Sequence, residues 1–227
     1  MNRLIIFTHI PKTAGTSFMK TVVEPNVSGI YRYQGMRKFV LDNRSDQLFV
    51  KGHCPYGLHL LSRNKHIQYI TFLRDPVERA ISYYYFIKDS DTKLYKHPLR
   101  DYADSVSLKE FYENKNFQNL QTRFIAGLLQ HSLYSKIQLK KIVLKSAKQN
   151  LSNFYFYGIS EKFEQSVEKI RDKFAWEKVV EFSLQKKTQK RPLIENIDKK
   201  TLLSLNAAHD LDWQLYNFAV KHFEEQK

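Results

Sequence analysis

The chain opens on Leu4-Ile5-Ile6-Phe7, four apolar residues without polar alternation, followed by a turn and then by Phe18, Met19, Val22 and Val23 at helical spacing. An uninterrupted apolar run this short is the pattern of a strand buried on both faces, which belongs to a parallel sheet covered by helices on each side. Leu48-Phe49-Val50, leading into Lys51-Gly52-His53, predicts a second strand; Ile67 to Leu73 predicts a third and Phe154 to Tyr157 a fourth. Asp75-Pro76 marks a helix start, since Asp suits the cap and Pro tolerates the first helical position. Val77, Ala80, Ile81 and Tyr84 are its expected buried face. Further helices are expected from Leu120, Phe124, Ile125 and Leu128, and from Leu139, Ile142, Val143 and Ala147. Two more follow from Phe163, Val167, Ile170 and Phe174, and from Leu211, Leu215, Phe218 and Ala219. Strands alternating with helices predict one α/β domain over residues 1–227, with a central parallel sheet flanked by helices.

With 42% hydrophobic and 14% aromatic residues the chain can bury a core, which excludes a disordered chain. Lys and Arg number 37 against 23 Asp and Glu, a net charge of +14 that favours anionic partners without choosing among nucleic acid, acidic glycan, lipid and nucleotide. The single cysteine, Cys54, excludes an intrachain disulfide and reads as a packed thiol. With no apolar stretch of signal-peptide or membrane-spanning length, a cytoplasmic protein without a membrane span is expected.

Between the first strand and its helix lies His9-Ile10-Pro11-Lys12-Thr13-Ala14-Gly15-Thr16-Ser17. Small residues there let backbone amides approach an anion closely. The helix dipole, the hydroxyls of Thr13, Thr16 and Ser17, and the Lys12 ammonium add to the attraction. An ordinary strand-to-helix turn capped by Thr16 or Ser17 is the plainer alternative. The loop is not a Walker A motif, in which the lysine follows the last glycine and directly precedes Ser or Thr; here Lys12 comes before Gly15.

Pro11 to Ser17 resembles the 5′-phosphosulfate loop of sulfotransferases, in particular the heparan and dermatan 2-O-sulfotransferase branch and its bacterial relatives. Leu73-Arg74-Asp75-Pro76-Val77-Glu78-Arg79-Ala80-Ile81-Ser82 is similar to the 3′-phosphate motif of that family. Lys51-Gly52-His53 stands where the branch carries His-Gly-His, so Lys51 replaces the first histidine. Asn153 to Ile159 is similar to a strand of the family, and Lys186 to Arg191 to a basic loop that closes over the donor.

The resemblance implies a nucleotide-kinase-like sulfotransferase fold and an enzyme using 3′-phosphoadenosine 5′-phosphosulfate (PAPS) as donor, with 3′-phosphoadenosine 5′-phosphate (PAP) as product. It also implies transfer to an acceptor hydroxyl on a carbohydrate or anionic glycan, with no metal and no nucleic acid. Lys12, Thr13, Ala14, Gly15, Thr16 and Ser17 would hold the 5′-phosphosulfate. Arg74 and Ser82 would hold the 3′-phosphate, and Lys187 and Thr188 would close over the donor. His53, at a strand end, is the expected general base and Lys12 the electrostatic catalyst. His9, Lys51, Lys88 and Arg123 are the candidate acceptor contacts; the remaining histidines beyond His59 and His66 read as surface residues. A phosphoryl-transfer P-loop kinase and a non-catalytic polyanion-binding module are the alternatives. The first wants a lysine at the Walker position; the second leaves the ordered Lys12, His53, Arg74 and Ser82 unexplained. Asn119-Leu120-Gln121-Thr122-Arg123 resembles a segment of bacterial members.

Overall fold

The computed structural model describes residues 3–42, 49–62, 66–90, 95–128, 140–180 and 191–226. Strands β1 (Leu4–Thr8), β2 (Ile30–Arg32), β3 (Phe49–Gly52), β4 (Ile67–Leu73) and β5 (Phe156–Ile159) form one parallel sheet in the order β2-β3-β1-β4-β5. Central β1 is buried along its whole length, as its uninterrupted apolar run requires. Because a strand alternates faces, Ile5 and Phe7 join one core and Leu4 and Ile6 the other.

The first core holds Phe18, Met19, Val22 and Val23 from the helical run that begins at Gly15, together with Ile170 from helix Phe163–Phe174. The second holds Phe124 and Ile125 from helix Leu120–Ala126, Val143, Ala147 and Leu151 from helix Lys140–Ser152, and Leu215 and Ala219 from helix Asp210–His222. A third cluster stands apart from the sheet. Helix Pro76–Lys88 packs there against Arg100–Ser105, Leu108–Glu113 and Lys199–Ala208 through Ile81, Ala103, Phe111 and Leu205. No helix among the described residues is long and apolar enough to cross a membrane.

The structure corrects several expectations. β2 was not foreseen, because Ile30-Tyr31-Arg32 is a three-residue, partly exposed edge strand too short to show a period. The last strand starts at Phe156, not Phe154; the Phe154 ring packs instead against Tyr56 and Tyr69. Ile142 is 52% exposed, one position off the buried face marked by Val143 and Ala147. Cys54, in contrast, is the packed thiol expected from the sequence: full burial pushes its pKa up to about 12.

Candidate active site

Parallel pairing sets Thr8 abreast of Gly52 in β3 and of Thr71 in β4. The chain therefore leaves three adjacent strands at one edge of the sheet, carrying His9 to Ala14, His53 and Arg74 with it. This carboxyl edge is where open α/β sheets build their sites. Two further bonds tie the edge together: the His9 amide donates to the Gly52 carbonyl at 3.0 Å, and the Thr71 hydroxyl donates to the Thr8 carbonyl at 2.8 Å.

In the loop after β1, Lys12 (φ 68°) and Ala14 (φ 63°) are left-handed, whereas Thr13 and Gly15 are not. Alternation of this kind turns successive amides toward one concavity, the geometry of an anion-binding nest. Non-glycine residues held there are strained, on the order of 1–3 kcal/mol each, and persist only where the surroundings impose them. The Thr13 hydroxyl supplies one restraint by donating to the Ile10 carbonyl at 2.9 Å. Gly15 lets the loop approach the imidazole of His9, with which a Cβ at this position would collide. The first bond within the following helix runs from the Phe18 amide to the Ala14 carbonyl, 3.0 Å. The amides of Gly15, Thr16 and Ser17 precede it, in the first turn, where no carbonyl one turn earlier can serve them. The Lys12 ammonium lies 4.5 Å from the centre of the Phe86 ring.

The His9 imidazole stacks on Phe7 at 5.3 Å and on His53 at 4.9 Å. Burial, reinforced by His53, Lys51 and Lys12, lowers its pKa to about 3, so it is neutral at physiological pH. Its carbonyl oxygen lies 2.7 Å from His53 Nδ1. A carbonyl can only accept, so Nδ1 carries the proton and Nε2 of a neutral His53 keeps its lone pair. The His53 side chain keeps an exposed face; desolvation by the atoms packed around its other side lowers its pKa as well, against the opposing pull of that hydrogen bond.

Arg74 follows β4 directly. Its guanidinium donates to the Lys12 carbonyl at 3.3 Å and to Glu78 Oε2 at 2.9 Å, and lies 3.9 Å from Glu161. Arg191 also pairs with the Glu78 carboxylate and donates to the Glu78 carbonyl at 3.2 Å. Two guanidinium groups thus meet on one carboxylate beside the loop. Ser82, buried, sits one turn beyond Glu78 on the same helix and so on the same face. Asp75 caps that helix by accepting from the Glu78 amide at 2.9 Å.

His53 also lines a cleft of about 310 Å³ with Pro11, Tyr83, Leu120, Arg123 and Phe124. Arg123 is buried and donates to the carbonyls of Asn116 (2.5 Å) and Gln118 (3.4 Å), and it lines the wall of the cleft. Lys51 pairs with Glu24 at 2.9 Å. Lys88 lies 3.4 Å from the Tyr84 hydroxyl and 3.9 Å from Asp104, contacts that include no other expected site residue. Lys187 and Thr188 lie outside the described residues. Among the described residues no cluster of His, Cys, Asp or Glu is arranged to hold a metal ion.

Two histidines expected at the surface lie elsewhere. His209 is fully buried. His97 is half-buried against Tyr83 and Phe86; burial, and then the nearness of His53, lowers its pKa. Tyr83 and His97 were not foreseen at the site. Tyr83 could have been found as the residue next to Ser82; His97 offered no local signal.

A model of the sulfotransferase family matches residues 2–219. Heparan-sulfate 6-O-sulfotransferase 2 of Gallus gallus is 26% identical over 97% of this chain and 66% of that protein. Heparan sulfate 2-O-sulfotransferase 1 of Mus musculus is 26% identical over 72% of this chain and 52% of that protein. The chain thus spans about half to two thirds of the length of these relatives. Among solved structures, mouse sulfotransferase SULT7A1 complexed with PAP aligns with a TM-score of 0.45 and 13% identity, over 91% of this chain and 64% of that one. With the family model matching nearly its full length, the chain belongs to the sulfotransferase family.

Proposed function

We propose that residues 1–227 act as one catalytic domain that transfers a sulfuryl group from PAPS to a hydroxyl of a carbohydrate acceptor. The observation that carries this proposal is the pinned His53. Its Nδ1–H is held by the His9 carbonyl, which leaves Nε2 as a base at the wall of the cleft, beside the strained loop. Family membership and the heparan-sulfate sulfotransferases among the relatives support the choice of chemistry.

In this scheme the acceptor hydroxyl occupies the cleft and gives its proton to His53 Nε2 as it attacks. The amides of Lys12 to Ser17 and the Lys12 ammonium hold the 5′-phosphosulfate and stabilise the charge that develops on the leaving phosphate. To reach it, the ammonium leaves its position over Phe86. Arg74, Ser82 and Arg191 hold the 3′-phosphate, and the two guanidinium groups that meet on Glu78 are already gathered there. The donor, when bound, supplies the sulfuryl group and departs as PAP. A net charge of +14 suits an anionic glycan as acceptor. The test is PAP formation from PAPS with desulfated and partly sulfated polysaccharides. Faster formation with at least one of them is expected. A rate equal to that without protein for every polysaccharide would count against a carbohydrate acceptor.

A further inference from the structure

We infer that Gln121 is a positioning residue for Arg74, and that the buried carboxylate of Asp212 sets where Gln121 stands; this rests on the assignment of Arg74 to the 3′-phosphate of the donor. Arg74 lies between the end of β4 at Leu73 and the helix cap at Asp75, so its own amide and carbonyl belong to neither ladder nor helix. Gln121, 1% exposed, serves both. The Arg74 amide donates to Gln121 Oε1 at 2.9 Å, and the Arg74 carbonyl accepts from Gln121 Nε2 at 2.8 Å. A primary amide can accept and donate in this side-by-side fashion. The backbone from which the guanidinium projects is thereby fixed at two points.

Gln121 is itself held by a reciprocal cap between two helices. Asp212, fully buried, accepts from the Gln121 amide (3.3 Å), the Thr122 amide (2.7 Å) and the Thr122 hydroxyl (2.7 Å). These amides belong to the first turn of helix Leu120–Ala126, which lacks internal acceptors. In return Asn119 Oδ1 accepts from the amides of Leu211 (2.9 Å) and Asp212 (3.1 Å), in the first turn of helix Asp210–His222. Asn119 adopts a left-handed conformation, φ 49°, in doing so. Leu120 and Arg123, on either side of Gln121 and Thr122, line the cleft. Five consecutive residues, Asn119 to Arg123, thus span from the backbone of Arg74 to the wall where the acceptor would lie.

The test is titration of the full chain with PAP and with adenosine 5′-monophosphate, which lacks the 3′-phosphate, with thermal melts run alongside. The variants are Gln121→Met, which removes both hydrogen bonds at similar volume, Arg74→Ala, and the double variant. Gln121→Met should weaken PAP by roughly tenfold and leave the monophosphate unchanged. In the Arg74→Ala background the same substitution should change PAP affinity by less than about twofold. If Gln121→Met does not fold, Gln121→Glu, which keeps the acceptor and loses the donor, carries the same comparison. Equal weakening of both nucleotides, no weakening of either, or an undiminished effect in the Arg74→Ala background would overturn the inference. A parent chain without preference for PAP over the monophosphate would overturn the donor assignment, and the inference with it.

Discussion

The Nδ1 atom of His53 and the carbonyl oxygen of His9 stand 2.7 Å apart, and this contact leaves Nε2 as the imidazole nitrogen with an uncommitted lone pair. With Nδ1–H committed to the carbonyl, Nε2 is the atom that takes a proton. Because partial desolvation by its neighbours lowers its pKa, His53 stays neutral to lower pH than an ordinary histidine near 6.5. The acid limb of the pH–rate profile should therefore have its midpoint below 6.5, since activity is lost when His53 gains a proton. His53→Ala should reduce transfer by roughly 100-fold to 10,000-fold while leaving PAP affinity within about twofold. Full transfer activity in His53→Ala would disprove its role as base.

Gly15 owes its identity to the His9 ring, which lies where a Cβ would go. Gly15→Ala should lower stability by about 1–3 kcal/mol through this collision and weaken PAP binding. In a His9→Ala background the added methyl has room, so the stability loss from Gly15→Ala should largely disappear. Chemical denaturation of the four chains of this cycle measures it, and additive losses would show that the ring is not the obstacle.

Asp212 satisfies three donors from full burial. Asp212→Ala would leave all three without an acceptor and should cost about 3–5 kcal/mol of stability. Asp212→Asn keeps one oxygen for the Thr122 amide and hydroxyl and should be the milder change. Denaturation midpoints give the order directly, and an equal loss in the two variants would contradict it.

Asn116 lines the same cleft as His53 and Arg123, and Arg74 is not among the lining residues. Asn116→Trp should fill space that an acceptor would use. It should raise the acceptor KM or abolish transfer while leaving the PAP Kd unchanged. Unaltered acceptor kinetics would mean that acceptor binds elsewhere.

Much of the fold was legible in residues whose signal is local. Leu4 to Phe7 identified a strand because burial on both faces leaves no polar position, and β1 is indeed the centre of the sheet. Asp75-Pro76 marked a helix start because cap and first turn are neighbours in sequence. Edge strand β2 was not legible, since three half-exposed residues carry no period. For the site, the loop, His53 and Arg74 could be singled out because each follows a strand and lies in a short contiguous motif that resembles one of the family. Their supports could not. Gln121 reaches Arg74 across 47 positions, Asp212 reaches Gln121 across 91, and Arg191 reaches Glu78 across 113. Nothing near any of these residues records such a partner. His97 was set aside for the same reason: its place beside Tyr83 follows from how the third helical cluster packs.

The most direct measurement is calorimetric titration of the chain with PAP against adenosine 5′-monophosphate. The strained loop and the paired Arg74 and Arg191 predict micromolar binding of PAP, about −8 kcal/mol, and much weaker binding of the monophosphate. Absence of PAP binding, or equal affinity for the two nucleotides, would contradict the account of this edge of the sheet as a sulfuryl-donor site.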